Sequence, residues 1–134
     1  MTLTADLQQL IDQARDVMAN AYIPYSNYAV GAVLETVDGV VFTGCNVENA
    51  SYPAGICAER TALVKAVSEG HRAFKRIVVM TRNAGSPCGI CRQMLFEFSP
   101  QLQIILADET GTIHYDGSLS DLLPLGFGPS KLEA

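Results

Sequence analysis

The sequence predicts an α/β fold: three layers, α/β/α, around a mixed central sheet of about five strands. Three observations carry this. The chain opens on an apolar stripe at helical spacing. Two β-prone runs around a tight-turn signal follow, and helix-like and strand-like segments then alternate. At 134 residues, 49% of them apolar, the chain reads as one domain, residues 1–134, with a sizeable core.

Each element has a local reason. Leu3, Leu7, Leu10, Ile11, Ala14, Val17, Met18 and Ala21 share one helical face, so residues 3–20 read as an amphipathic helix that Pro24 ends. Tyr28 to Val37 is β-prone, Asp38-Gly39 is a hairpin signal, and Val40 to Thr43 returns as a second strand. Residues 44–56, with Gly, Asn, Ser and Pro, form a loop. Helix formers run from Cys57 to Glu69, with Gly70 as the stop. Arg76 to Thr81 is a buried strand, and Pro87 opens a third helix through Phe98. Gln103 to Ala107 is another buried strand, Thr112 to Tyr115 a short one, and Ser118 to Leu123 a short helix. A hairpin followed by this alternation needs helices on both faces of a mixed sheet.

Composition excludes several function classes. The formal net charge is −5, which argues against a nucleic-acid partner, whose phosphates call for a basic face. A small, neutral substrate fits better. No apolar run approaches the ~20 residues of a membrane span. The N-terminus lacks a basic region followed by an apolar stretch, so no secretory signal is expected. Free thiols suit a reducing compartment, and the expected location is cytoplasmic. No repeat or linker interrupts the chain. Its Gly- and Pro-containing last residues read as an ordered or docking tail.

The chemistry lies in Cys57-Ala58-Glu59 and, thirty residues later, Pro87-Cys88-Gly89-Ile90-Cys91. Three thiolates at this spacing can hold one Zn²⁺ and leave a fourth position for water, as catalytic zinc sites do. Glu59 lies two residues from a ligand and can shuttle protons there; zinc deaminases use this machinery. A C-x-x-C pair can also be a redox centre or half of a structural Cys₄ site. The structural site needs a fourth ligand, and Cys45, His71 and His114 sit at no ligand-like spacing. Each zinc cysteine falls at the start of an expected helix, where partial positive charge lowers thiolate pKa. Three thiolates on Zn²⁺ leave a net −1, which makes bound water less acidic. Arg60, one helical turn from Cys57, is the better candidate to offset that charge; Arg92 is the other. The plain reading of either is a surface arginine.

With these residues in view, the chain resembles the small homotetrameric cytidine deaminases over most of its length. The similarity is carried by Ala21-Tyr22-Ile23-Pro24-Tyr25-Ser26, Val30-Gly31-Ala32, Gly44-Cys45-Asn46-Val47-Glu48-Asn49-Ala50-Ser51-Tyr52, Cys57-Ala58-Glu59-Arg60-Thr61-Ala62 and Ser86-Pro87-Cys88-Gly89-Ile90-Cys91-Arg92-Gln93. Leu122-Leu123-Pro124 and Phe127-Gly128-Pro129 match near the end. Polynucleotide-editing relatives usually have His where Cys57 stands. Tyr28 departs from the family's more usual Phe, and its added hydroxyl needs a partner.

The resemblance implies one zinc per subunit on Cys57, Cys88 and Cys91, and hydrolytic deamination of cytidine and 2′-deoxycytidine with Glu59 moving the protons. It implies that Asn46 and Glu48 bind ribose hydroxyls; without it, ordinary turn chemistry would be the better account of both. The backbone N–H of Ala58 would donate to the base carbonyl, and the carbonyl of Ser86 would accept from the leaving amine. Tyr28 and Phe127 would contact pyrimidine or sugar, Phe127 from a neighbouring subunit, and Tyr52 would likewise cross an interface. A homotetramer with shared sites follows, with no nucleic acid or membrane partner. Rival readings are a deaminase of a related aminopyrimidine nucleoside, a polynucleotide editor and a non-catalytic zinc module. Asn46-x-Glu48, the acidic balance and Glu59 disfavour them in that order.

Overall fold

The computed structural model describes residues 5–133. Helix α1 spans Ala5–Met18. Leu3, part of the expected stripe, lies outside the described residues. Leu7, Leu10, Ile11 and Ala14 are buried, as the periodicity requires. The helix stops six residues before Pro24, so proline does not end it. Instead Tyr22 forms a one-residue parallel bridge with Val47, and its N–H donates to the carbonyl of Asn46 at 3.0 Å. That pairing draws the chain out of the helix.

Five strands form one sheet: β1 Gly31–Thr36, β2 Val41–Cys45, β3 Phe74–Met80, β4 Gln103–Ala107 and β5 Ile113–Ser118, in the order β2-β1-β3-β4-β5. Only the β3–β4 pair is parallel, with α3 (Gly89–Phe98) in the crossover between them. The mixed sheet is therefore as expected. Its strand ends differ. Tyr28 and Val30 were expected in the first strand. Instead the side-chain amide of Asn46 takes their backbone groups: Oδ1 accepts from Val30 N–H at 2.9 Å and Nδ2 donates to the Tyr28 carbonyl at 2.8 Å. On the edge strand, β5 runs to Ser118, because its pairing with β4 continues through residues too polar to advertise a strand.

Alternation along the strands divides the core between two faces. On one face Val33, Val78, Met80, Ile105 and Ala107 pack with α1. On the other, Ala32, Leu34, Ile77, Val79, Ile104 and Leu106 pack with α2 (Ala58–Ser68), α3 and α4 (Leu119–Leu122). Burying each large aliphatic contributes about 1.5–3 kcal/mol. Buried Arg76 on β3 meets Glu35, its partner on β1, at 2.5 Å and also pairs with Asp6, tying α1 to the sheet.

Two packing details place the site. A Cβ at Gly44 would lie 2.5 Å from the carbonyl oxygen of Ala58, so glycine lets the start of α2 sit directly on β2. Helices α2 and α3 then pack side by side, which brings their N-termini together at the C-terminal end of β3. Among the described residues no helix is long and apolar enough to cross a membrane.

Candidate active site

Cys57 and Cys88 are the N-cap residues of α2 and α3, both with extended backbone, and Cys91 lies in the first turn of α3. Pro87 therefore precedes the cap instead of opening the helix. The sulfurs are 3.8 Å apart for Cys57–Cys88 and 3.4 Å for Cys88–Cys91, and all three lie within 4.8 Å of one another. Three thiolates about 2.3 Å from a tetrahedral zinc would be separated by about 3.8 Å, so the set fits that ion. Cys45 is outside the cluster. His71 packs on the ring of Phe42, and His114 pairs with Asp108. Among the described residues, the group able to hold a metal is these three cysteines alone.

The surroundings favour thiolate. The thiol of Cys91, Arg60 and Cys88 all stabilise a Cys57 thiolate, which lowers its pKa to about 5 despite partial burial. Cys91 moves the opposite way: its bond to Cys57 and its burial push its thiol up. Arg60 Nη2 lies 3.6 Å from Cys57 Sγ, in the place the helical spacing anticipated. Its Nε is buried with no hydrogen-bond partner, so its charge is directed at the sulfurs at some cost. Arg92 does other work. It bonds Ser86 Oγ at 2.5 Å, the Pro87 carbonyl at 2.8 Å and the Leu122 carbonyl at 2.7 Å, clamping the segment before α3 to the end of α4.

Glu59 is 4% exposed at the second position of α2. Burial pushes its carboxyl up to about 7, with the Cys57 thiolate adding to the rise and its own N–H and Arg60 opposing it. A divalent cation among the sulfurs would pull it back down. Two opposing effects would thus hold a carboxyl near the range useful for proton transfer.

A cavity of about 620 Å³ opens above these groups. Cys57, Cys88, Glu59 and Arg60 line one end, and Asn46, Glu48, Tyr28 and Tyr52 line the rest, with Ser86 also at its wall. Of the residues assigned from sequence, Ala58, Cys91 and Phe127 do not line it. Ala58 and Cys91 are fully buried behind it. Phe127 is 54% exposed, in a tail that rests on Phe96 and is held by Gln93 Nε2 bonding the Phe127 carbonyl at 2.8 Å.

The polar pair already has work within the chain. Asn46 bridges residues 28 and 30, as described. Glu48 Oε1 accepts from the N–H groups of Tyr25 and Ser26 at 2.9 and 3.1 Å, and Oε2 accepts from Ser26 Oγ. These bonds hold its carboxyl below the usual range, the Ser26 hydroxyl foremost. A carboxylate has about four acceptor sites, so one remains for a ligand. Ser26, Thr81 and Gly85 also line the cavity, and sequence reading gave them no role. Ser26 lay within a quoted motif; the other two carry no signal in isolation.

Comparison with known proteins agrees with this geometry. The family described as "Cytidine and deoxycytidylate deaminase zinc-binding region" matches residues 4–107. A cytidine deaminase of Sporosarcina psychrophila is 41% identical over 130 residues, covering 95% of each chain. One from Halalkalibacterium halodurans is 45% identical over 125 residues, covering 91% of this chain and 94% of its own. The crystal structure of cytidine deaminase from Burkholderia pseudomallei superposes with a TM-score of 0.85 at 45% identity, covering 93% of this chain and all of that one. That of Mycobacterium tuberculosis gives 0.80 at 37% identity, covering 93% and 99%. With a matching fold, three convergent thiols and a family match across most of its length, this chain belongs to the cytidine and deoxycytidylate deaminase zinc-binding family.

Proposed function

We infer that this protein deaminates cytidine and 2′-deoxycytidine by zinc-dependent hydrolysis, giving the uridine nucleosides and ammonia. One observation carries the reading: three thiols at two helix N-termini meet beside a buried carboxyl at the end of a cavity lined with sugar-compatible polar groups. Cys57, Cys88 and Cys91 would hold the ion. Bound there, zinc supplies a water acidic enough to react near neutral pH.

The remaining work falls to the chain. Glu59 takes a proton from the water and delivers it to N3 of the pyrimidine, which makes C4 electrophilic. Once the water oxygen has bonded to C4, Glu59 takes its remaining proton and carries it to the amino group there, so the C4–N bond breaks, ammonia leaves and the oxygen stays on C4 as a carbonyl. One acid suffices, because each transfer restores the state the next one needs. The Ala58 N–H, at a helix N-terminus where such groups have no partner within the helix, would hold the base carbonyl. The Ser86 carbonyl would accept from the amine, Tyr28 would contact the substrate ring, and Arg60 would offset the negative charge of the sulfurs. Among the described residues, Arg60 is the one Lys or Arg that lines the cavity, and it faces the Cys57 sulfur, so an uncharged sugar suits the cavity better than a phosphorylated one.

An assay of the purified protein on cytidine, deoxycytidine and free cytosine, following the ultraviolet change and ammonia release, tests the reading. If Asn46 and Glu48 address the sugar, kcat/KM for cytosine is expected to be at least ~10²-fold lower than for cytidine. Glu48→Ala is expected to narrow that gap. Similar turnover of cytosine and cytidine by the parent would overturn the sugar assignment.

The same reading makes the chain a homotetramer, acting in the cytoplasm as a single 1–134 domain, with sites shared between subunits. Exposed apolar side chains support it: Phe127, Leu125, Leu132 and Tyr52 are all more than half exposed. Phe127 would complete a neighbour's pocket. Tyr52 stands at the mouth of its own chain's cavity, in edge contact with Tyr25 at 5.7 Å, and would also reach across the interface. Mixing tests the sharing. Inactive Glu59→Gln and inactive Phe127→Ala, combined under subunit exchange, are expected to recover activity, since some pockets then hold both intact residues. No recovery despite proven exchange, or an active monomer, would rule it out.

A further inference from the structure

We propose that Tyr28 is a positioning residue, whose hydroxyl, held by Asn83 and seated against Gly85, sets the segment that carries Ser86 and Cys88 to the cavity. The proposal rests on the deaminase reading for its effect on turnover.

The segment between β3 and α3 is secured at both ends. At one end Thr81 is buried at the close of β3. At the other, Arg92 holds Ser86 and Pro87. In the middle, Arg82 and Asn83 are exposed, and the chain passes through Ala84, which packs on the core, at φ +58°, the left-handed region that disfavours a side chain. Gly85 N–H donates to Thr81 Oγ1 at 2.6 Å, a bond within the segment. The side-chain hydrogen bond from the middle to a separate part of the chain is Tyr28 Oη donating to Asn83 Oδ1 at 2.6 Å, across fifty-five residues of sequence. The Arg82 guanidinium lies over the Tyr28 ring at 4.9 Å, a cation–π contact that holds the same two strands of chain together.

The contact with Gly85 makes this arrangement specific. An ideal Cβ at Gly85 would stand 2.4 Å from Tyr28 Oη but 3.6 Å from Cζ. The hydroxyl occupies the space that a side chain at position 85 would need, while the ring alone would not. A residue lacking the hydroxyl would leave Asn83 Oδ1 only its long 3.4 Å bond from Thr81 Oγ1, within the same segment, and leave room for the segment to drift toward the ring. Ser86, next in sequence, would move with it. A displacement of 1 Å in a reacting constellation can cost ~10²-fold, so a partial loosening is expected to cost less.

The test is a double-mutant cycle read by kinetics, zinc content and melting temperature. Tyr28→Phe and Asn83→Ala are each expected to lower kcat for cytidine about 3- to 10-fold, with KM within about twofold and zinc content unchanged. The double variant should be no worse than either, because both remove one link. Gly85→Ala should lower kcat and melting temperature in the parent, and markedly less in the Tyr28→Phe background, where the clash is gone. Parent-like kcat in both Tyr28→Phe and Asn83→Ala would overturn the proposal. So would losses that multiply, or a Gly85→Ala penalty equal in both backgrounds. The melting arm needs no turnover. A parent inactive on cytidine would therefore count against the deaminase reading, while the presence or absence of relief in melting would still decide the contact.

Discussion

Cys57→Ala, Cys88→Ala and Cys91→Ala are each expected to strip the protein of zinc and abolish turnover, while Cys45→Ala keeps both. The asymmetry follows from placement. The three sulfurs stand within 4.8 Å of one another, whereas Cys45 closes β2 and its carbonyl accepts from Thr61 Oγ1 at 3.1 Å. A site with three protein ligands has none in reserve, and two thiolates with water leave an ion that buffer can compete for. Metal analysis after gel filtration checks the content, and circular dichroism checks the fold. Full zinc in Cys88→Ala would remove the site as drawn. The loss should also appear in stability. The ion would join the first turns of α2 and α3, and its binding free energy adds to that of folding. A chelator is therefore expected to lower the melting temperature of the parent and leave that of Cys88→Ala unmoved.

The parts of the fold legible in the sequence were those where periodicity and burial coincide. The stripe Leu7, Leu10, Ile11, Ala14 fixed the face of α1, and the runs that became β3 and β4 are apolar on both faces because helices cover both. The end of α1 was not legible. Pro24 is the obvious local stop, but the parallel bridge of Tyr22 with Val47 acts first, and no local signal records it. The same is true of Tyr28 to Val30. Their β propensity is real, yet the Asn46 amide takes the place of a strand partner.

The candidate site divides in a similar way. Cysteine spacing, the acid two residues on and the arginine one turn on are all helix geometry, so Cys57, Glu59 and Arg60 could be placed together without coordinates. The segment before α3 could not, because its shape depends on contacts between Tyr28, Asn83 and Gly85, which are far apart in sequence. The flag raised by Tyr28, a hydroxyl in need of a partner, finds its answer in Asn83. Phe127, which the resemblance directs to a neighbouring subunit, is more than half exposed and lines no part of its own chain's cavity. Arg92, by sequence the second candidate to offset the zinc site's charge or else a plain surface arginine, instead makes three bonds that hold the segment before α3.

Glu59→Gln is expected to keep its zinc and still bind cytidine, yet lose at least ~10²-fold in kcat, the lower range for general acid–base catalysis. The substitution preserves size and leaves the three sulfurs untouched. It fills a site that is 4% exposed, so no repacking around a void is needed. What it removes is a group that can hold a proton at one moment and release it at the next; an amide can do neither near neutral pH. The environment makes this the sensitive position. Burial raises the carboxyl to about 7, while a cation among the thiolates would favour its ionised form, so both protonation states are within reach during a turnover. The amide could still donate to or accept from the pyrimidine, which is why binding should survive when transfer does not. Zinc content, binding of cytidine by calorimetry and single-turnover rates separate the three quantities. Zinc loss in Glu59→Gln would make the residue part of the metal site. Turnover within a few-fold of the parent would mean that another group carries the protons. Among the titratable groups lining the cavity, Glu48 is engaged by Ser26 and Tyr25, and its pKa is held below the carboxylate range. Glu59 is therefore the carboxyl whose loss should stop the reaction without emptying the site.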